Sequence, residues 1–301
     1  MKQFKNILQR NDLKVNKYTI KGKTTIVDTP LGQFALKKNK GNNIYKYLSS
    51  RNFDYFPKIL DIDDNSIMFE YLDNIEYDNS QKAFDIIHLI ALLHSKTTYY
   101  KEVDYDEYKN IYETTKIKIE YINNYYEDII NIIESKVYMS PSEYLVARNI
   151  SKIFECINYC KYELDSWYEI VKNKKRKRVV TLHNNLKLDN LIKNKNSYLI
   201  SWENSKIDLP IYDFVNFYNN YALDFDFEML LNEYERIYPL LEEEKKLMYV
   251  LVSIPEKIIS TSNEYNCVIN TRKFLEKIYK TEYFITPKNL TSKEEKETNA
   301  E

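Results

Sequence analysis

The sequence predicts an α+β protein, a small five-stranded antiparallel sheet followed by a mainly helical remainder. Three observations predict it. Residues 13 to 72 alternate short β-branched runs with turn residues. From about residue 80 apolar side chains recur at three-and-four spacing. Residues 179 to 203 return to strand signals before helical spacing resumes at Asp213. A period of two marks a strand, and a period of about 3.6 marks a helix.

Residues 13 to 38 read LKVNKYTIKGKTTIVDTPLGQFALKK. KYTI, TTIVDT and QFALKK are strand-like, and KGK and PLG turn the chain between them, which predicts an antiparallel meander. NNIYKYLSS follows as a short helix. FPKILDIDDNSIMFEYLD then reads as two further strands around the turn DIDDNS. Beyond it, QKAFDIIHLIALLHSKT places Phe84, Ile87, Ala91 and His94 on one helical face, with His94 as a helix-end packing or capping residue. Residues 105 to 136 carry a long amphipathic pattern rich in Ile and Tyr. The next helix opens with Ser140 as N-cap, Pro141 at the first helical position and Glu143 completing a capping box. Residues 179 to 203 are broken by LHNNLKLDN and by the hairpin turn KNKN. Helix then runs from Asp213, as N-cap, to about residue 281. The polar tail KNLTSKEEKETNAE reads as disordered. The domains expected are residues 1–73, residues 74–285 and a disordered tail, 286–301.

The chain has 301 residues, 44% of them hydrophobic and 30% charged, with a formal net charge of −1. That length is ample for a sizeable core, and the balance gives no overall drive toward nucleic acid or an anionic membrane. Tyr numbers 29 and Gly only three, which we attribute to codon choice in an AT-rich genome. The basic run KNKKRKR, residues 172 to 178, stands alone between a helix end and a strand. It reads as a solvated helix C-terminus that complements the helix dipole. Cys156 and Cys160 share a helix face and Cys267 lies apart, which reads as buried thiols in a reducing, cytoplasmic compartment. The N-terminus has no long apolar region, and no apolar run approaches a membrane span.

Six segments in this order carry a resemblance. FALK ends in Lys37; IMFEYLD spans residues 67 to 73; ALLHSKT spans 91 to 97; LHNNLKLDN spans 182 to 190; YLISWEN spans 198 to 204; and DLPIYDF spans 208 to 214. Together they resemble the aminoglycoside phosphotransferase and choline kinase superfamily, with the spore-coat CotS type as the nearest likeness. The resemblance covers about residues 13 to 281 and implies a bilobal protein-kinase-like fold. It implies ATP as cofactor, with Lys37 on the third strand and Glu70 and Leu72 in the hinge as cofactor-binding residues. It implies His183 and Asp213 as supports of the catalytic loop, Asn185 at the base position and Asn190 as a metal ligand. The metal strand places Ser201 at the other ligand position, with Glu203 or Asp208 as a substitute. Asp189 reads as solvent-facing or loop-positioning.

The departures matter as much. Phosphoryl transfer is mostly positioning and charge neutralisation. An amide such as Asn185 hydrogen-bonds a hydroxyl but takes no proton near pH 7. Ser201 is neutral where magnesium prefers charged oxygen. No acidic residue lies between Lys37 and Asp54 to pair with the lysine, and the first hairpin has only Gly22 in place of a glycine-rich loop. Lys37 is therefore either the kinase lysine or a solvated strand lysine. The expectation is a pseudokinase that binds a small molecule or protein, with any ATP bound with weak magnesium dependence. The alternative is an active small-molecule phosphotransferase with an altered metal site. A location in the cytoplasm, or in the spore coat by resemblance, goes with either.

Overall fold

The computed structural model describes residues 4–39 and 44–286. The elements in chain order are α1 (Lys5–Arg10), β1 (Lys17–Lys21), β2 (Thr24–Thr29), β3 (Gly32–Lys38), α2 (Ile44–Ser50), β4 (Ile59–Ile62), β5 (Ser66–Glu70), α3 (Asn79–Thr97), β6 (Tyr99–Glu102), α4 (Tyr105–Glu134), α5 (Pro141–Val171), β7 (Arg176–Leu182), β8 (Leu191–Lys193), β9 (Ser197–Leu199), β10 (Lys206–Asp208), α6 (Ile211–Tyr221), α7 (Phe227–Ile237), α8 (Glu242–Ser253) and α9 (Glu264–Ile285). Beyond Thr286 the polar tail lies outside the described residues. The chain divides into two compact units, each built from three stretches. Among the described residues the first holds 4–39 with 44–99, 179–216 and 232–239, and the second holds 100–178, 217–231 and 240–286.

In the first unit five strands pair antiparallel in the order β1-β2-β3-β5-β4. Side chains alternate between the two faces of a strand, and the sheet uses both. Val27, Leu36 and Met68 point to one face and bury Phe4, just before α1, and Ile7 and Leu8 within it. Sequence periodicity missed α1 because six residues are too few to show it, and so short a helix is held by this docking. Ile26, Ala35, Lys37 and Phe69 point to the opposite face and line a cleft. Asp78 caps α3 by accepting from the Ser80 and Gln81 amides. The Thr97 hydroxyl near the end of α3 accepts from the Thr181 amide of β7. Antiparallel pairing of β10 with the end of β7, Lys206 opposite Leu182, then frames the loop that follows β7.

The second unit is helical at its core. The buried positions Ile153, Ile157, Cys160, Leu164, Trp167 and Val171 step along α5 by four and three. That stripe packs on α4, α8 and α9. The Ser140–Glu143 capping box and Pro141 open α5 as the sequence predicts. Cys160 is buried in this stripe, as Cys267 is on α9, while Cys156 is half-buried. The basic run corrects its sequence reading in part. α5 ends at Val171 and β7 starts at Arg176, so only the first part of the run is a helix end. Four of its side chains are paired, Lys172 with Glu169, Lys174 with Glu243, Lys177 with Glu107 and Arg178 with Glu244, while residues 172 to 176 stay exposed to solvent as the sequence reading expects. The acidic partners lie on α4, on α8 and on α5 itself, where a reading of the run alone had no means of placing them. No helix among the described residues is long and apolar enough to cross a membrane.

Candidate functional site

Lys37 sits near the end of β3, held in register opposite Thr24 on β2 and Ile67 on β5. This places its side chain in a cleft of about 900 Å³. The residue is only 9% exposed, so it is not a solvated strand lysine. Its Nζ donates to Glu203 Oε1 at 3.1 Å and to Ser201 Oγ at 3.3 Å. A buried lysine needs such a partner, because desolvation penalises an unpaired charge. The partner lies 166 residues away in sequence. A search confined to the residues just after Lys37 could not find it.

The segment YLISWEN delivers Glu203 by a turn, not by a strand. β9 ends at Leu199, Ser201 has φ +69° in the left-handed region, and Trp202 to Asn204 form a single 3₁₀ turn. Ser201 and Glu203 therefore do not lie on an extended strand, and the turn aims both at Lys37. A left-handed serine is uncommon and persists only where its surroundings hold it. Trp202 does so. It is 1% exposed, its indole N–H donates to the Leu199 carbonyl at 2.9 Å, and its ring stands edge-on to His183, 4.5 Å between centroids. Trp202 is a positioning residue that motif reading passed over. A tryptophan between two polar positions was the signal available.

The loop after β7 is held from below by buried groups. The backbone amides of His183 and Asn184 both donate to the Asp213 carboxylate, each at 2.7 Å. Asp213 is fully buried, and it corrects the expectation of an N-cap. α6 begins at Ile211, so Asp213 lies in its first turn with its carboxylate directed at the loop. His94 Nε2 lies 3.4 Å from the same carboxylate, and His94 Nδ1 is 2.7 Å from the Tyr234 hydroxyl. His94 is thus a fully buried packing residue. His183 Nε2 donates to the Ile200 carbonyl at 2.9 Å, which fixes its tautomer because a carbonyl only accepts. Burial pushes this imidazole below its ordinary value, against the pull of Asp213, so the ring is neutral at pH 7. The Asn190 side-chain amide donates to the Asn185 carbonyl at 2.8 Å and closes the loop on itself.

The structure therefore brings Lys37, Glu70, Leu72, Asn185, Asn190, Ser201 and Glu203 to one cleft. His183 and Asp213 lie under the loop and do not line it. Asp189 also lines the cleft and is exposed. Glu70 Oε1 accepts from the Lys58 amide, so this carboxylate is engaged with backbone. Burial alone would raise the Glu203 carboxyl, but the charge of Lys37, hydrogen bonds and the nearby Lys23 hold it below the ordinary carboxylate range.

The donor set Asn190, Ser201 and Glu203 does not fit magnesium. It contains one carboxylate, and that carboxylate is held by an ammonium. The Lys37 ammonium lies within 3.3 Å of two of the three donors and opposes a divalent cation. Magnesium demands near-ideal octahedral geometry and is usually held by one or two carboxylates beside phosphates and water, and here the one carboxylate is taken up by Lys37. Among the described residues no three His, Cys, Asp or Glu side chains form a group that could hold a metal ion.

The fold has solved counterparts. The chain is similar to an aminoglycoside phosphotransferase from Alicyclobacillus acidocaldarius, with a TM-score of 0.66 and 9% identity over 91% of each chain. A choline kinase from Streptococcus pneumoniae aligns over 93% of this chain and 99% of its own, at 15% identity and a TM-score of 0.47, too low to carry an argument. The first likeness shows the fold: α+β and protein-kinase-like, as in aminoglycoside phosphotransferases. At such identity it shows the fold alone. No protein-family model matches the chain, and no curated protein matches it in sequence.

Proposed function

We propose that this chain is a pseudokinase of the aminoglycoside phosphotransferase type, CotS-like in its motifs, which binds a ligand in the cleft and does not transfer phosphate. The observation that carries the reading is the pairing of Glu203 with Lys37, beside Asn185 and Ser201. The cleft's loop offers an amide where a proton acceptor is needed, and loss of a general base lowers a rate by ~10²–10⁴. The carboxylate nearest the metal position is already neutralised by a lysine, so metal-borne charge on a phosphoryl group has no anchor. What supports binding is the cleft itself, which has the size of a small-molecule site and pre-formed polar walls. The ligand that the resemblance implies is ATP, bound with little dependence on magnesium.

Hydrolysis and transfer from ATP to aminoglycosides, choline or sugars are measured for wild type and for Asn185→Ala. The expected result is no turnover above background in either. Turnover by the wild type that Asn185→Ala abolishes would overturn the reading.

A further inference from the structure

Charge around the cleft is not evenly answered. Five lysines line it: Lys21, Lys23, Lys37, Lys82 and Lys187. Lys37 pairs with Glu203 and Lys82 with Glu76. Among the described residues no carboxylate lies within ion-pair distance of Lys21, Lys23 or Lys187. Two of these three stand on the hairpin between β1 and β2.

That hairpin is tight. Lys21 pairs with Thr24, so the turn contains only Gly22 and Lys23. Gly22 has φ +56°, as the first position of a primed two-residue turn requires, and a glycine adopts it without strain. The turn fixes the base of Lys23 at the cleft, and its ammonium acts on the Glu203 carboxyl inside. A hairpin with one glycine has few free backbone N–H groups for a phosphate. This one carries two ammonium groups instead. Two lysines supply the same formal charge as one divalent cation, and they stand on the same wall as Lys37, whose sheet partner in β2 is Thr24.

We propose that the cleft takes a ligand bearing a chain of phosphates without a metal ion, with the side chains of Lys21 and Lys23 supplying the charge that magnesium would otherwise supply. This rests on the reading of the cleft as a ligand site without phosphotransfer. It assigns that site a ligand class, a run of phosphates, and a mode of holding it. Lys37 then contributes from the back of the cleft, shared between the ligand and Glu203. Because the hairpin lysines are exposed, the attraction weakens as ionic strength rises.

The test is isothermal calorimetry at low salt with excess chelator, using ATP and inorganic tripolyphosphate as separate probes. The proteins are the full chain, Lys21→Gln/Lys23→Gln, Lys21→Arg/Lys23→Arg, and Lys17→Gln as a control on the same strand outside the cleft. The hairpin positions are exposed, so equal melting curves check that each variant folds. The expected result is metal-free binding that the double glutamine variant weakens by about tenfold, the scale of lost charge-assisted hydrogen bonds at an exposed site. The arginine variant and Lys17→Gln retain binding. Binding of both probes assigns the site to the phosphate chain alone; binding of ATP only assigns it to a nucleotide. Either outcome supports the proposal when the glutamine variant loses affinity. Binding that requires magnesium, binding unchanged in the glutamine variant, or binding of neither probe overturns it. Such failures leave turnover unaffected as the measure of the pseudokinase reading, so the two stand or fall separately.

Discussion

Replacing Glu203 by Gln removes the charge that answers Lys37 while keeping the side chain's shape. Both partners are largely buried, with 11% and 16% of their side chains exposed at a separation of 3.1 Å. At an effective dielectric of about 20, two unit charges that close attract by about 5 kcal/mol. Desolvation of both groups offsets much of this, so the net coupling is about 1–2 kcal/mol. Glu203→Gln should therefore lower stability by about 1–2 kcal/mol at pH 7, a fall of a few degrees in Tm for a chain of this length. Lys37→Met should lower it by more, about 2–4 kcal/mol, because methionine gives the buried carboxylate no hydrogen bond, whereas a glutamine oxygen at position 203 still accepts from Lys37. The double variant should recover part of the sum, and the double-mutant cycle measures the coupling. The pH dependence has a definite sign. The Glu203 carboxyl sits below its ordinary value of 4.5 in the folded chain. Its contribution is thus present above that value and is lost as pH falls through the folded value. The gap between wild type and Glu203→Gln, read by urea denaturation, should close as pH is lowered below 4.5. Strict additivity at pH 7, or a gap that stays constant down to acid pH, would refute the ion pair as the element that organises the cleft.

Two further outcomes follow from the loop and the turn. Asp213→Asn presents an amide N–H₂ to one of the two backbone N–H groups it now accepts, and should lower stability by about 2–4 kcal/mol by urea denaturation; a change under about 0.5 kcal/mol would show that the loop does not depend on this clamp. Asn185→Asp with Ser201→Asp should introduce magnesium-dependent stabilisation in a melting titration, absent from wild type. Its loss of stability without metal should be small, since Lys37 lies 3.3 Å from the Ser201 hydroxyl and answers one new carboxylate. An identical response to magnesium in both proteins would mean that the two positions do not share a metal-accessible cleft.

The sequence by itself determined what is local. The five strands follow from β-branched runs between turn residues, and α3 and α5 follow from helical spacing and from the Ser140–Glu143 capping box. The order of the motifs, too, was legible along the chain, and it was enough to expect the fold that the aminoglycoside phosphotransferase shares. Tertiary structure alone decided what depends on charges and carboxylates meeting across the fold. Lys37 has no acidic neighbour in sequence, and its partner Glu203 comes from a turn that exists because Trp202 is buried against His183. Asp213 reads locally as a helix cap, and only the resemblance directs it to the loop, where its carboxylate accepts two amides some thirty residues earlier. The ion pairs of the basic run at residues 172 to 178 are not legible along the chain, because its carboxylate partners, apart from Glu169, are remote in sequence. Backbone propensity and periodicity act over a few residues and so are written in the sequence in order. The pairing of buried charges acts over a few ångströms, and only the folded chain sets which residues lie that close.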